Sequence, residues 1–394
     1  MVKFSLMEQY LIDLSVLILT AVVLSYVLTR LKQPLVVAYI IAGALIGPWG
    51  LKLIKEIEFI SLTSHLGIIF LLFLAGLVLH PQKLLRLFRE VFWVTLLASV
   101  FSFLTAFGIA LITGRFSVFA SFLIGICLMF SSTVLTVKLL PTTKLHHKKI
   151  GAICISILIL EDIFAVLVLA FIHAFQGSGS FIIAIPLILL KVAALFIGAA
   201  LFEKYIFRYI IRQVERVHEM IFIFALGWCF SNGWLAYKIG LSFEIGAFIA
   251  GVVLARHPIS LFISERLKPL RDFFLLLFFF SLGAEINFPQ IMKLLPHAVL
   301  LAGVYILVKP LYFKKVLEWK KEQRALAKEA GVRLGQASEF SLLIAFALLK
   351  AQFINDSIFN FIEIVTILTL IFSSYVVVFL YPTPIGVRKG LIQD

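Results

Sequence analysis

Two carboxylates stand side by side in this chain, Glu161 and Asp162, between the apolar flanks Ile157-Leu158-Ile159-Leu160 and Ile163-Phe164-Ala165-Val166. An ionisable side chain in such surroundings is costly and usually faces a cavity or a partner. A helix-end charge cluster is the bland alternative, but it needs a helix terminus close by, and these flanks supply none. Adjacent helix positions point about 100° apart, so one carboxylate can face an aqueous cavity while the other faces a neighbouring helix. The chemistry that suits a buried carboxyl of this kind is exchange. Burial favours the protonated form and a bound cation the charged one, so proton and cation compete for one place. Asp162 lies 13 residues beyond Lys149, roughly 20 Å along a helix.

Three further groups belong with this pair. Lys309 sits in the apolar run Leu301 to Leu311 and has two readings. Its long stem can snorkel toward the basic stretch beginning at Lys314, or its ammonium can partner Glu161. The clusters Ser131-Ser132-Thr133 and Gln336-Ala337-Ser338-Glu339 each interrupt an apolar run. Hydroxyls in a helix can simply bond back to the preceding turn. They also fit helix breaks, whose free carbonyls would serve a cation while Glu339 offsets the positive half-helix ends. The candidate ion and proton site is therefore Asp162, Glu161, Lys309, Ser131, Ser132, Thr133, Gln336 and Glu339, with Asp162 and Thr133 holding the monovalent cation. Asp13 and Glu363 fall near the starts of apolar runs and read as interfacial, Glu244 reads as an N-terminal helix charge, and Lys191 has no assigned role.

These residues need a membrane around them. Hydrophobic residues make up 62% of the 394 and charged residues 14%, with a mean hydropathy of +1.09. A soluble domain is nearer 45–50% apolar and about 25% charged. The net charge of +14 is not a nucleic-acid footprint, because Lys and Arg sit in short segments between apolar runs. The cysteines (Cys127, Cys154, Cys229) lie inside apolar runs at spacings that suit no metal site, and read as small buried hydrophobes. The first apolar run lacks a small-residue cleavage site and reads as a retained helix. No nucleophile–base or metal-ligand constellation points to an enzyme, and no cofactor is expected.

Runs of spanning length fall near 8–29, 35–50, 64–79, 91–113, 117–139, 148–174, 180–206, 217–237, 240–255, 270–286, 293–312, 334–353 and 358–381, with the longest basic loop at 313–333. Alternate loops hold 26 of the basic residues and the opposite set 7. That asymmetry supports an odd number of spans, with the N-terminus outside and the C-terminus in the cytoplasm of an inner membrane. A weak internal repeat runs through them. Ile41-Ala42-Gly43 returns as Ile249-Ala250-Gly251, Phe73-Leu74-Ala75-Gly76 as Phe280-Ser281-Leu282-Gly283, and the Ser131 cluster near Gln336, at offsets of 206 to 208. Seven spans separate each pair, so the copies are inverted, as in secondary transporters. The expected fold is all-α, with thirteen transmembrane helices, two of them discontinuous.

Arg30-Leu31-Lys32-Gln33-Pro34 leading to Ala42-Gly43 and Gly47-Pro48 resembles the second-helix signature of the monovalent cation:proton antiporter-2 family. Leu71–Leu77, Ser131-Ser132-Thr133, Gly246–Gly251 and Phe278–Gly283 are similar to that family's motifs in the same order, across nearly the whole chain. The resemblance implies a sodium or potassium/proton antiporter working by elevator-like alternating access. It implies core helices at 91–175 and 291–381 that include two crossed discontinuous helices, dimerisation helices at 1–90 and 217–290, a linker helix at 176–212, a short tail at 382–394 and a homodimer. Asp162 matches the family's ion-binding aspartate and Lys309 its helix-11 lysine. Kef-like members are similar but carry Gln at position 161, and sodium/proton members often carry Asp. Glu161 keeps the charge and leans the analogy toward sodium. Kef-like members also carry a cytoplasmic regulatory domain, here expected to be missing or supplied by a separate subunit. A Kef-like potassium efflux system and a non-transporting membrane sensor remain the alternative readings.

Overall fold

The computed structural model describes residues 6–384 except 34, 55–57, 79–80, 142–148, 176–180, 215–217, 256, 258 and 287. Its helices are α1 (Leu6–Arg30), α2 (Leu35–Ile46), α3 (Glu58–Val78), α4 (Pro81–Ile112), α5 (Val118–Leu128), α6 (Thr133–Leu139), α7 (Lys149–Phe175) and α8 (Phe181–Phe202). A π turn (Glu203–Phe207) joins α8 to α9 (Arg208–Val214). Then follow α10 (His218–Lys238), α11 (Phe243–Leu254), α12 (Ser260–Glu285), α13 (Phe288–Trp319), α14 (Arg324–Arg333), α15 (Glu339–Lys350) and α16 (Asp356–Leu380). Every predicted apolar run meets one of these helices. Among the described residues, seven segments are long and apolar enough to cross a bilayer, and three shorter apolar helices accompany them. Their outward faces carry side chains such as Leu19, Leu190 and Leu307, each at least two-thirds exposed, which suits lipid and not water.

Two stretches depart from the sequence expectation. The basic segment 313–333 is not a loop: α13 runs on to Trp319, α14 occupies Arg324–Arg333, and only Lys320–Gln323 connect them. Its charges sit on a helix that still buries Ala327, Ala330 and Arg333. Asp13 and Glu363 are also not interfacial, being 6% and 0% exposed. Asp13 accepts a hydrogen bond from Gln9 (2.9 Å) within α1. Lys191 gains a neighbour: its Nζ lies beside Gly240, the left-handed turn (φ 78°) that ends α10, where a cation meets the carbonyl end of a helix.

The chain divides into two compact units. One comprises 1–56, 87–165 and 282–394, and the other 57–86 and 166–281. The first holds α5, α6, α14 and α15, and one of its apolar clusters joins Val94 and Ala98 of α4, Ile157 of α7, Phe313 and Leu317 of α13 and Ala330 of α14. The second is centred on α11, packed between α3 and α10, with Trp228 Nε1 donating to the Ala250 carbonyl (3.0 Å).

The repeat motifs explain the closest helix approaches. A Cβ on Gly251 would lie 2.1 Å from the Phe73 carbonyl oxygen, and one on Gly76 2.5 Å from that of Phe248, so α3 and α11 touch backbone to backbone. In the other unit a Cβ on Gly283 would lie 1.9 Å from the Ile40 oxygen of α2. The third helix of each copy thus packs on the second helix of the other copy, and glycine is what lets the backbones meet. Gly251→Ala should therefore lower the thermal unfolding temperature in detergent, at a cost of about 1–3 kcal/mol. Gly227→Ala, whose new methyl would meet nothing within 4 Å, should not; equal melting of the two variants would contradict this packing.

Candidate functional site

Two interrupted helices make the site. Between α5 and α6 the chain leaves the helix at Met129–Ser132, and between α14 and α15 at Leu334–Ser338. Each second half-helix restarts on a serine in extended conformation. Ser132 (φ −72°, ψ 118°) accepts from the Leu135 N–H, and Ser338 (φ −101°, ψ 155°) from the Phe340 N–H, with Ser341 completing a capping box. These caps stand 206 residues apart, the offset of the repeat. Two apolar helices stop and restart in mid-run because each supplies its own N-cap.

The breaks are bonded to each other. The Ser131 hydroxyl donates to the Leu334 carbonyl (3.0 Å) and the Thr136 hydroxyl to that of Arg333 (2.9 Å). The Gln336 amide donates to Thr136 Oγ1 (3.0 Å), while its oxygen accepts from Ser373 of α16 (3.0 Å). Thr369 of the same helix accepts the Ala337 N–H (3.1 Å). A buried polar backbone group left by a break needs a partner in the hydrocarbon region, and the two breaks and α16 provide several of them.

Charge is sorted by helix polarity. Lys309, fully buried on α13, reaches the carbonyl ends: its Nζ donates to Phe130 (2.8 Å) and Gln336 (3.0 Å), with Met129 at 3.5 Å. Tyr305, one turn earlier, donates to the Leu128 carbonyl and lies 3.3 Å from the ammonium. Glu339 meets the opposite polarity, accepting the Val134 N–H (3.1 Å) at the start of α6. A cation at the carbonyl ends and an anion at the amide end match the partial charges of those termini.

The carboxylate pair lies on α7 against the first break, and its two members are held differently. Glu161, 1% exposed, accepts the Ser131 N–H (2.7 Å) and lies 3.4 Å from its hydroxyl. Asp162, 9% exposed, is held by Thr133, whose Oγ1 stands 3.1 and 3.3 Å from the two carboxyl oxygens. The snorkelling alternative for Lys309 is excluded by its burial. Its ammonium and the Glu161 carboxylate act on one another electrostatically, yet carbonyls and not that carboxylate hold the ammonium. All eight residues singled out in the sequence come together at this crossing.

Two participants were not singled out. Tyr305 looks like one more aromatic in an apolar run. Arg333 sits in the segment read as loop, yet it is 1% exposed. It pairs with Glu329 (2.9 Å) and donates to the carbonyls of Leu139 (2.9 Å) and Pro382 (2.8 Å), closing the far ends of α6 and α16. The signal available was an arginine two residues before the break at Gly335.

Crossed half-helices with a buried lysine and three buried carboxylates define an all-helical membrane protein with a charged centre. The family model described as "Sodium/hydrogen exchanger, transmembrane" matches residues 17–381, and the chain belongs to that family. Among curated relatives it is 31% identical to the glutathione-regulated potassium-efflux system protein KefC of Klebsiella pneumoniae (strain 342), over 80% of this chain and 51% of that protein. It is 30% identical to KefC of Salmonella typhi over the same shares. The chain thus spans about half the length of the curated relatives it matches. In fold it is similar to the sodium proton antiporter MjNhaP1 from Methanocaldococcus jannaschii at pH 8, with a TM-score of 0.71 and 18% identity, covering 94% of this chain and 96% of that one.

Removing the Lys309 ammonium leaves the Phe130 and Gln336 carbonyls buried without their donor, a cost of about 1–3 kcal/mol per orphaned group. Lys309→Met should therefore unfold at clearly lower temperature than the wild type in a detergent melt. Retained stability would mean that the lysine does not cap these ends.

Proposed function

We propose that the chain exchanges a monovalent cation for protons across the membrane, with Asp162 as the shared binding group. The observation that carries this is the position of Asp162 on Thr133, at the start of α6 where two broken helices cross. With every carboxyl ionised, Glu161, Asp162 and Glu339 outnumber Lys309 by two negative charges. A site so charged and so buried is stabilised by taking up positive charge, as a cation or as protons. Thr133 is half-buried, where Ser131 and Ser132 are closed off, so the Asp162 end is the more accessible part of the crossing. In this reading Ser131, Ser132 and Gln336 keep the broken backbone satisfied, Glu339 and Lys309 balance its ends, and Glu161 tunes the charge that Lys309 feels.

Sodium is the favoured cation, because Glu161 keeps a second carboxylate beside Asp162. Potassium efflux is the second reading, favoured by the KefC relatives. The finer features proposed are elevator-like movement of the core helices (91–175 and 291–381) against dimerisation helices (1–90 and 217–290), joined by the linker at 176–212. With them go a homodimer in the inner membrane, with the N-terminus outside and the C-terminal tail (382–394) in the cytoplasm, and regulation by a separate subunit. A membrane sensor on the same fold is the contrasting reading, and turnover of any ion by purified protein excludes it.

Purified protein in liposomes carrying an internal pH dye tests the proposal directly. Sodium or potassium added outside should drive proton movement, and Asp162→Asn should abolish it while leaving the protein folded. Undiminished exchange by Asp162→Asn would sink the mechanism. Glu161→Gln should retain exchange but change its response to an imposed membrane potential, since it alters the charge carried through the cycle; identical responses would remove Glu161 from the coupling.

A further inference from the structure

Glu363 lies on α16, the helix that holds Gln336 and Ala337 of the second break, and takes no part in the crossing itself. It is 0% exposed. Neither of its carboxyl oxygens has a hydrogen-bond partner in the protein. An ionised carboxylate held this way would carry the full cost of leaving water with nothing to offset it. A buried acid retained under those terms is neutral, and its charge can appear only when the surrounding helices let water reach it.

Charged residues at nearby helix ends act on it. Glu285 ends α12, Lys350 ends α15 and Asp356 begins α16, and all three are exposed. Among the described residues, the charge that bears on Glu363 is that of Glu285, which in turn feels Lys350 and Asp356. The elements packed along the rest of α16 carry Lys293, His297 and Lys309 on α13, with Lys314, Lys315 and Glu318 beyond them, Glu339 on α15 and the Arg333–Glu329 pair on α14. Lys309 and Glu339 belong to the crossing, and His297 Nδ1 is buried without a hydrogen-bond partner. The charged groups at the ends of α12, α15 and α16 thus bear on Glu363 through Glu285.

From Glu363 a polar face continues along α16. Asn360, Glu363, Thr366, Thr369 and Ser373 are all at most 4% exposed and fall within one half of the helix circumference. Thr369 holds the Ala337 N–H and Ser373 the Gln336 side chain. Glu363 is therefore one rigid helix segment, about 9 to 15 Å, from the groups that fix the second break.

We propose that Glu363 is a second proton-binding carboxyl, separate from Asp162, loaded from the Glu285 edge and coupled to the second break through α16. The chemistry is proton transfer alone: the carboxyl O–H releases its proton to water at that edge when α16 is hydrated, and regains it on closure. Its use in transport rests on the antiporter reading; the protonation itself does not.

Infrared difference spectra of the full chain in detergent, between acidic and alkaline buffer in H2O and D2O, read protonated carboxyls without any transport assay. A protonated-carboxyl band should be present in the wild type, remain in Asp162→Asn and be lost in Glu363→Gln. A full set of wild-type bands in Glu363→Gln overturns the proposal. If Glu363→Gln does not fold, Glu285→Gln serves: removing the neighbouring charge should shift the midpoint of the same band, and an unmoved midpoint overturns the proposal equally. Liposome exchange by the wild type is measured in parallel. Absent exchange with the band and its loss intact removes the antiporter reading and supports this one, while intact exchange with an insensitive band removes this one alone.

Discussion

Hydrocarbon offers no hydrogen bonds, so a helix interrupted inside a membrane must find every partner for its loose ends within the protein. Most of what distinguishes this chain follows from that requirement being met twice in one place. The N-terminal half-helix ends are met by serine caps and by Glu339, the C-terminal ends by Lys309 and Tyr305, and the bare segments by each other and by α16. With those assignments made, Asp162 is left with a single threonine hydroxyl, and so with oxygen valence to spare. The site's reactivity is what remains after the backbone has been satisfied.

The same accounting separates two lysines in apolar runs. Lys309 is fully buried and held by two carbonyls and a tyrosine, and its place is fixed by helix ends that come from different parts of the chain. Lys191 is only half-buried and lies beside the last turn of one helix. A buried cation in a membrane protein need not face an acid; a cluster of backbone carbonyls at aligned helix termini can hold it.

Much of this was legible in the sequence, for identifiable reasons. The breaks announced themselves because polar triplets such as Ser131-Ser132-Thr133 stand out in apolar runs. The acidic pair announced itself because nothing around it offered water. The repeat was legible in Gly43 and Gly251, and in Gly76 and Gly283, at offsets of 208 and 207, but the swapped packing of its copies was not. What the sequence hid were cases where position along the chain misleads about depth. Arg333 sits in a charged stretch that reads as loop, yet the fold wraps it in three oxygen acceptors. Glu363 stands close to the start of a span, where an interfacial acid is ordinary, and only packing across α16 seals it. The partner of Lys309 was also hidden, because pattern reasoning pairs charge with charge and does not see carbonyls freed by a break.

The exchange of glycine contacts between the repeat copies carries a consequence for biogenesis. The backbone face of α3 is completed by α11, and that of α2 by the end of α12, each made more than 150 residues later in synthesis. Neither half of the chain can close its own tightest helix seam while the ribosome is still working on the other. The two halves are thus mutual templates, and a substitution in one copy of a motif is felt first in the opposite copy.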